Sequence, residues 1–426
     1  MWNAGCAITR IAPRPIGVRN VTPPAEDEEA GGQVSEDGNE PSRPWGRASE
    51  VGRLFLKLGT IAFGGPAAHI AMMDDEVVRK RGWLTRERFL DLLGATNLIP
   101  GPNSTEMAIH LGLLRAGWPG LLVAGVSFIV PAMTITWALA WAYVRYGALP
   151  EARWLLYGMK PVIIAIVVQA LWGFAVKAVK GPITGAVGAA VLVCSFLEWD
   201  EVLLLLLSGL VVMFATHFHH KWARIATAVA ASGALLGTGS ASAALAAGSA
   251  TPVTLWSLTG FFLKVGSVLF GSGYVLLAFL RGDLVQRWGW LTDQQLMDAI
   301  AVGQFTPGPV FTTATFIGYV VAGTPGAMLA TLGIFLPSFV FVAASSPLIP
   351  RMRRSAWAGS FLDGVNVASL GLMATVTWQL GRAALVDGIT VSTALVAALL
   401  VFRQRVNSAW LVLGGAAIGL GAHLLR

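Results

Sequence analysis

Apolar residues form long, nearly uninterrupted blocks along most of this chain. The stretches 121–142, 161–176 and 202–215 are almost free of charged residues. A run of about 20 apolar residues crosses the hydrocarbon core of a bilayer as a helix. A helix also satisfies its own backbone hydrogen bonds where no water is present. The pattern therefore predicts an all-α polytopic membrane protein with about ten to thirteen spans.

The chain contains two copies of one unit. Lys57 lies in the motif Phe-Leu-Lys-Leu-Gly, and Lys264 lies 207 residues later in Phe-Leu-Lys-Val-Gly. Four further motifs recur at the same offset, namely Phe63-Gly64-Gly65 with Phe270-Gly271-Ser272, Gly82-Trp83-Leu84-Thr85 with Gly289-Trp290-Leu291-Thr292, Asp91 with Asp298, and Pro100-Gly101-Pro102 with Pro307-Gly308-Pro309. After one deleted residue the match continues with Gly117 and Gly323. This order and spacing indicate a duplication, and each copy has about five to six apolar segments.

The repeat divides the chain into four parts. Residues 1–48 form a polar leader rich in Pro, Gly, Glu and Asp, which we predict to be disordered because it has little apolar surface to bury. We predict that residues 49–221 form the first repeat and that residues 255–426 form the second. Residues 222–254 are rich in Ala, Gly and Ser, and they form either a linker or an additional span.

Two apolar segments in each copy are interrupted by glycine and proline at matching places. The first interruption is Phe63–Pro66, with its partner Phe270–Gly273, and the second is the repeated Pro-Gly-Pro motif. Proline removes a backbone donor, and glycine permits an abrupt break. Interrupted segments at corresponding positions of two halves are the best sequence indication of a transporter's binding site. The predicted helices are therefore broken around a site shared by both copies.

A new half-helix is expected to begin after each Pro-Gly-Pro motif. Its unpaired N–H groups and its dipole attract anions. Amide and hydroxyl side chains add neutral donors at the same place. The candidate substrate-binding residues are Gly64, Gly65, Pro100, Gly101, Pro102, Asn103, Ser104, Gly271, Gly273, Pro307, Gly308, Pro309 and Thr312. The alternative interpretation is a proline kink that serves packing, with the hydroxyls bonded to the preceding turn.

Three ionisable residues near these breaks are further candidates. Lys57 and Lys264 are matched across the repeat, and an ionisable residue in a membrane segment marks a functional site by default. Both are added to the substrate-binding set, although each lies close enough to the segment end to reach the interface instead. Glu106 follows the first Pro-Gly-Pro motif and faces Thr313 in the alignment, so it has no acidic counterpart. Glu106 is the candidate for proton coupling or for a helix cap.

Composition and charge narrow the class of protein to which this chain can belong. Hydrophobic residues make up 55% of the chain and charged residues only 12%, about half the share in soluble proteins. The net charge is +7, but the basic residues lie in short loops as they do on the cytoplasmic side of membrane proteins. Nucleic acid is therefore not an expected partner. We expect the leader and the basic loop 74–88 to face the cytoplasm. Cys6 and Cys194 form no metal-binding or disulfide pattern. We predict no bound metal, no cofactor and no catalytic residue.

The motifs Phe63–Pro66, Gly82–Thr85 and Pro100–Pro102, together with their second copies, resemble the chromate transporter family in its long, two-domain form. The resemblance covers about residues 50 to 426. It implies a multi-pass protein of the inner (plasma) membrane that exports chromate and gives chromate resistance, with sulfate as a competitor and protons as a coupling ion. In the second copy Gly273 replaces Pro66 and Val310 replaces Asn103, which weakens the expectation of a symmetric site.

Three alternatives remain open at this stage. A transporter of sulfate or another small oxyanion would use the same donors, because chromate and sulfate are both tetrahedral dianions. A membrane enzyme would need titratable or metal-ligating clusters at membrane depth. A non-transporting sensor would not need two broken helices in each half. The expected partners are a chromate- or sulfate-like dianion, protons, the lipid bilayer and a second copy of the chain in a homodimer.

Overall fold

The computed structural model describes residues 44–63, 65–96, 99–147, 150–217, 253–270, 275–346, 355–404 and 406–424. Within these ranges the chain is helical and contains no β-strand. Gly64, Gly271 and Gly273, most of the predicted leader and most of the predicted linker lie outside the described residues.

The second copy repeats the first helix for helix. The first copy consists of α1 Pro44–Ile61, α2 Gly65–Met73 with a π-helical turn Asp74–Lys80, α3 Arg86–Thr96, α4 Asn103–Tyr146, α5 Pro150–Ala178, α6 Pro182–Phe196 and α7 Glu201–His217. The second consists of α8 Leu255–Val268, α9 Leu276–Phe279 with a π-helical turn Leu280–Arg287, α10 Asp293–Phe305, a 3-10 turn Val310–Thr312 leading into α11 Thr313–Ser345, α12 Ala356–Ala384, α13 Gly388–Leu399 with a π-helical turn Leu400–Gln404, and α14 Ser408–Leu424. This confirms the predicted all-α fold with two repeats. Residues 44–48, which we assigned to the disordered leader, are helical.

The two longest helices are sharply bent. In α4 the backbone leaves helical geometry at Ala116 and Gly117, and in α11 it does so at Ala322 and Gly323. Both glycines have φ of +63°, a conformation that glycine adopts without strain. Each helix is therefore a hairpin with a short arm that follows the Pro-Gly-Pro motif and a long arm that follows the bend.

The two arms of each hairpin are in direct contact. A Cβ atom added at Gly112 would overlap the carbonyl group of Gly120, and Gly318 meets Gly326 in the same way. Small residues allow such close backbone approach between membrane helices. In α11 the hydroxyls of Thr315 and Thr331 are 2.7 Å apart, whereas 16 residues of straight helix would separate them by about 24 Å.

The apolar helices have the dimensions of a membrane protein. Within the described residues, four helices (α4, α5, α11 and α12) are long and apolar enough to cross a membrane, and five shorter apolar helices accompany them. Large side chains such as Trp172, Leu395 and Trp410 are more than 65% exposed on the outside, where a bilayer covers them. The chain is a multi-pass membrane protein; the count of ten to thirteen spans stays a prediction.

The two copies exchange helices. α5 of the first copy packs against α13 and α14 of the second, and the equivalent α12 packs against α6 and α7 of the first. The contacts match in detail: a Cβ at Gly158 would overlap the carbonyl group of Gly415, and a Cβ at Gly364 would overlap that of Ser208. Each copy therefore completes its packing only with helices of the other.

This exchange predicts that the halves stay together after the chain is cut. A protease site inserted between α7 and α8 and cleaved after membrane insertion should give two fragments that copurify through a tag on either one, because α5 and α12 remain seated in the other half. Affinity purification in mild detergent checks this. Fragments that separate without denaturant would contradict the exchanged packing.

Candidate functional site

The first helix of each copy is fixed against the long arm of the same copy. A Cβ at Gly59 on α1 would lie 2.6 Å from the carbonyl oxygen of Phe128, and a Cβ at Gly266 on α8 would overlap the equivalent carbonyl of Ile334. This close packing ends where α1 and α8 end, at Ile61 and Val268. The first break of each copy therefore begins beside a rigid helix pair.

The breaks of the two copies bond to one another. The Gly101 N–H donates to the Leu269 carbonyl at 2.7 Å, and the Gly308 N–H donates to the Ala62 carbonyl at 2.9 Å. Ala62 and Leu269 are equivalent positions, so each Pro-Gly-Pro motif contacts the end of the first helix of the other copy. The sequence predicted that these motifs form one site; the structure brings them to the interface between the copies in a two-fold arrangement.

Both central glycines are required by their surroundings. Gly101 has φ of +137° and Gly308 has φ of +90°, which disfavour any side chain. A Cβ at Gly101 would overlap Oε1 of Glu106 and lie 2.8 Å from Oγ of Ser338. A Cβ at Gly308 would lie 2.8 Å from Cβ of Ala132. Ala132 and Ser338 are equivalents on the two long arms, so each motif is pressed against the long arm of the other copy.

The half-helix starts are largely buried. Ser104 is buried, Asn103 is half-buried, and Thr312 is fully buried. The Thr312 hydroxyl donates to the Pro309 carbonyl at 2.9 Å and accepts from Thr136 at 3.3 Å. This bond to the preceding turn is the one expected for a packing role, but the second bond crosses between the copies. The hydroxyls at both half-helix starts are therefore shielded from water in this structure, while Asn103 keeps partial access to solvent.

An acidic residue makes the two breaks different. Glu106 is fully buried, and neither of its carboxylate oxygens has a hydrogen-bond partner among the described residues. The same holds for the hydroxyls of Thr105 and Ser338. A buried charge without a partner is costly, so Glu106 needs a proton or a bound cation in this closed state. The second break has no carboxylate and relies on the Thr312 hydroxyl instead.

The sequence profile of the family described as "Chromate transporter" matches residues 49–214 and 256–420. The chain belongs to the chromate transporter family. It is 33% identical over 378 residues to the chromate transport protein of Cupriavidus metallidurans, covering 87% of this chain and 92% of that protein. It is 30% identical over 378 residues to the chromate transport protein of Pseudomonas aeruginosa, covering 86% and 90%. No solved structure matches the chain.

One shorter relative matches about one copy. The uncharacterized transporter YwrA of Bacillus subtilis is 29% identical over 126 residues, which is 30% of this transporter and 71% of YwrA. The two regions matched by the family profile coincide with the two structural copies. The duplicated architecture is thus a property that the comparisons and the helix order support independently.

The lysines that sequence analysis assigned to substrate are paired in this transporter. Lys57 Nζ lies 2.9 Å from Glu76, and Lys264 Nζ lies 2.9 Å from Asp283. The carboxylates are nearly buried while the lysines are partly exposed. The hydrogen bond from Lys57 holds the pKa of the Glu76 carboxyl below its usual value. The arrangement favours a role in tying α1 and α8 to the π-helical turns that follow α2 and α9.

Sequence analysis missed both acidic partners. Glu76 and Asp283 are separated by the same 207 residues as the lysines, so the repeat offset carried the signal. It also missed Lys160, a buried lysine whose Nζ lies 2.9 Å from Asp298. Asp298 in turn accepts a hydrogen bond from the Tyr143 hydroxyl at 2.9 Å. A single lysine inside an apolar run was the available signal.

The remaining predicted residues frame the breaks. Gly65 has φ of +76° and begins α2. The prolines of both Pro-Gly-Pro motifs, at positions 100, 102, 307 and 309, form the turns that precede the short arms, and Pro102 and Pro309 are the residues before the first helical turn. The predicted first-break residues Gly64, Gly271 and Gly273 remain predictions, since they lie outside the described residues.

The two central glycines give a direct test. Gly101→Val and Gly308→Val should each reduce transport on the order of tenfold or more, because the added side chain displaces the opposite long arm. Uptake or efflux assays on variants shown to be in the membrane check this. Gly173→Val is the matched control, since a Cβ there meets nothing within 4 Å; normal transport by either motif variant would contradict the packing argument.

Proposed function

We propose that this transporter exports chromate from the cytoplasm across the inner (plasma) membrane and thereby gives chromate resistance. The observation that carries the proposal is the crossed pair of hydrogen bonds, Gly101 to Leu269 and Gly308 to Ala62. It gathers two half-helix starts at the interface between the copies. The choice of chromate as the substrate is taken from the relatives described as chromate transport proteins, which are similar to this chain over most of its length.

The chemistry of these half-helix starts suits a dianion. Backbone N–H groups in the first turn of a helix have no intrahelical partner, and the dipole adds positive potential. The Ser104 hydroxyl adds a neutral donor, and the Thr312 hydroxyl can add one when it releases the Pro309 carbonyl. Two helix starts at one interface would offer neutral donors to a tetrahedral oxyanion without a net charge that would hold it permanently. Sulfate has the same shape and charge and is expected to compete.

Membrane energetics favour export. Moving one charge through 100 mV is worth about 2.3 kcal/mol, so a dianion leaving an inside-negative cell gains about 4.6 kcal/mol per 100 mV. Export of chromate is downhill in potential without a coupling ion, whereas uptake against the potential requires one. A transport role also accounts for the paired breaks, which the enzyme and sensor alternatives leave without a purpose.

We further propose that Glu106 couples transport to protons. Its carboxyl group is buried beside Gly101 at the start of the first short arm. When ionised it repels a dianion from that helix start, and when protonated it does not. A proton and the anion are therefore expected to bind together. The pair still carries one negative charge outward, so its export remains downhill in the membrane potential by about 2.3 kcal/mol per 100 mV. The half-helix start of the second copy, with Thr312, lacks this dependence on a proton.

A flux measurement tests the proposed function. Cells preloaded with chromate should lose it faster when they express the transporter, and everted membrane vesicles should accumulate it, with sulfate slowing both fluxes. Cells expressing Gly101→Val serve as the matched control. Chromate retention equal to that control would reject export, and sulfate flux without chromate flux would favour the sulfate alternative.

Removing the Glu106 charge gives a second prediction. Glu106→Gln should lower the half-saturating chromate concentration roughly tenfold if about 1.4 kcal/mol of repulsion is removed. In the parent, apparent affinity should rise as pH falls because the carboxyl becomes neutral; in the variant it should not change with pH. Concentration series at several pH values check this. Unchanged affinity and an unchanged pH profile would rule out Glu106 as the coupling residue.

A further inference from the structure

A lysine and an aspartate form a buried ion pair inside the helix bundle. Nζ of Lys160 on α5 lies 2.9 Å from Oδ1 of Asp298 on α10, and the two side chains are only 8% and 2% exposed. Oδ2 of Asp298 accepts a hydrogen bond from the Tyr143 hydroxyl at 2.9 Å. A buried ion pair adds little net stability over well-packed apolar side chains, and an ionisable residue in a membrane helix marks a functional site by default. The pair is therefore better explained by function than by stability.

Lys160 has hydrogen-bond donors to spare. An ammonium group carries three N–H donors. Within the described part of the chain, Asp298 is the only carboxylate in ion-pair distance of Nζ, and Nζ donates to no other residue there. Charge-assisted hydrogen bonds from an ammonium group to an anion are strong, and a water-poor site strengthens them further. A buried ammonium with unused donors is therefore a group to which a small oxyanion can bind.

The ion pair lies close to the start of the second half-helix. Gly303, five residues after Asp298 on α10, packs so tightly on α11 that an added Cβ would overlap Oγ1 of Thr313. Five residues of helix rise by about 7.5 Å. In addition, the Tyr143 ring lies 5.1 Å from the ring of Phe316, the fourth residue of α11. The flexible four-carbon stem of Lys160 can therefore carry the ammonium from Asp298 toward this helix start.

The two half-helix starts differ in the charges near them. The exchanged packing places Lys160, a residue of the first copy, against α10 of the second copy. The position equivalent to Lys160 is Asn366 on α12, which carries a neutral amide. Conversely, Glu106 at the first start corresponds to Thr313 at the second. A dianion is thus repelled by an ionised carboxylate at the first start and attracted by a cation beside the second.

We propose that Lys160 is a substrate-binding residue that exchanges Asp298 for the oxyanion. In the present conformation Asp298 holds the ammonium. When a tetrahedral dianion reaches the second half-helix start, Lys160 turns to it and donates hydrogen bonds to its oxygens. Asp298, still bonded to Tyr143, is a positioning residue that takes the lysine back when the anion leaves. The inference deepens the transport function proposed above and rests on it.

Competition between Asp298 and the anion explains why the lysine is paired at all. The pair has no net charge before the anion arrives, so the empty site carries no uncompensated buried cation. An unpaired lysine would hold a dianion tightly and release it slowly, whereas transport requires binding that is weak enough to reverse. Asp298 therefore lowers the affinity and speeds the release.

Equilibrium binding of radiolabelled chromate and of radiolabelled sulfate to the purified full chain tests the inference. Lys160→Met should weaken binding by about tenfold or more, because hydrogen bonds from a charged donor are lost. Asp298→Asn should instead tighten binding severalfold and lower the maximal export rate, because the group that recovers the lysine is gone. A merely structural ion pair would not shift affinity in opposite directions when its two members are changed.

Two controls separate binding from folding. The double variant, Lys160→Met with Asp298→Asn, leaves no unpaired buried charge, which is the most destabilising consequence of either single change. It should unfold at the parent's temperature and still bind the anion weakly. Lys180→Met is the matched lysine control, because Lys180 pairs with Asp363 at 2.6 Å but is 60% exposed. It should leave the affinity unchanged.

Two results would overturn the inference. One is parent-like affinity in both Lys160→Met and the double variant. The other is a loss of affinity in Asp298→Asn as large as that in Lys160→Met.

The same measurements separate this inference from the proposed function. If the parent binds sulfate but not chromate and the variants shift as expected, the role of Lys160 stands and chromate export fails. If chromate is exported but Lys160→Met binds it as the parent does, only the role of Lys160 fails. A parent that binds neither anion rejects both.

Discussion

Backbone groups inside a bilayer must be bonded within the protein, and this constraint organises the transporter. Each copy carries Pro-Gly-Pro in the middle of an apolar segment, which frees backbone groups where no water reaches them. The Gly101 and Gly308 amides are satisfied by carbonyls of the other copy, Leu269 and Ala62. Each break therefore depends on the other copy for this hydrogen bond. The interface between the copies is therefore where the broken helices, and with them the half-helix starts, must lie.

The exchange of α5 and α12 makes the outer helices of each copy depend on the other copy for their packing as well. Close glycine contacts such as Gly158 with Gly415 seat each of these helices in the other copy. The two halves thus share a single packed structure. The buried pair of Lys160 and Asp298 ties α10 to α5, and the position equivalent to Lys160 is Asn366, so the sequence is not two-fold symmetric at this contact.

Much of this was predictable from sequence because duplication leaves a constant offset. The offset located the helices of both copies and both Pro-Gly-Pro breaks, and the glycines at 101 and 308 were identified from their conformational role alone. The ion pairs between residues far apart in the sequence were not predictable. Sequence analysis assigned no role to Glu76 or Asp283, since nothing local indicates that their carboxylates reach Lys57 and Lys264. The bend at Gly117 was also missed, because its apolar flanks resemble one long helix.

The central claim is that the anion binds between the two half-helix starts. A structure of the transporter with bound chromate tests it most directly. The anion should lie within hydrogen-bond distance of N–H or hydroxyl groups in the first turns that follow Pro102 and Pro309. An anion more than about 8 Å from both Pro-Gly-Pro motifs, well beyond hydrogen-bond reach, would contradict the account.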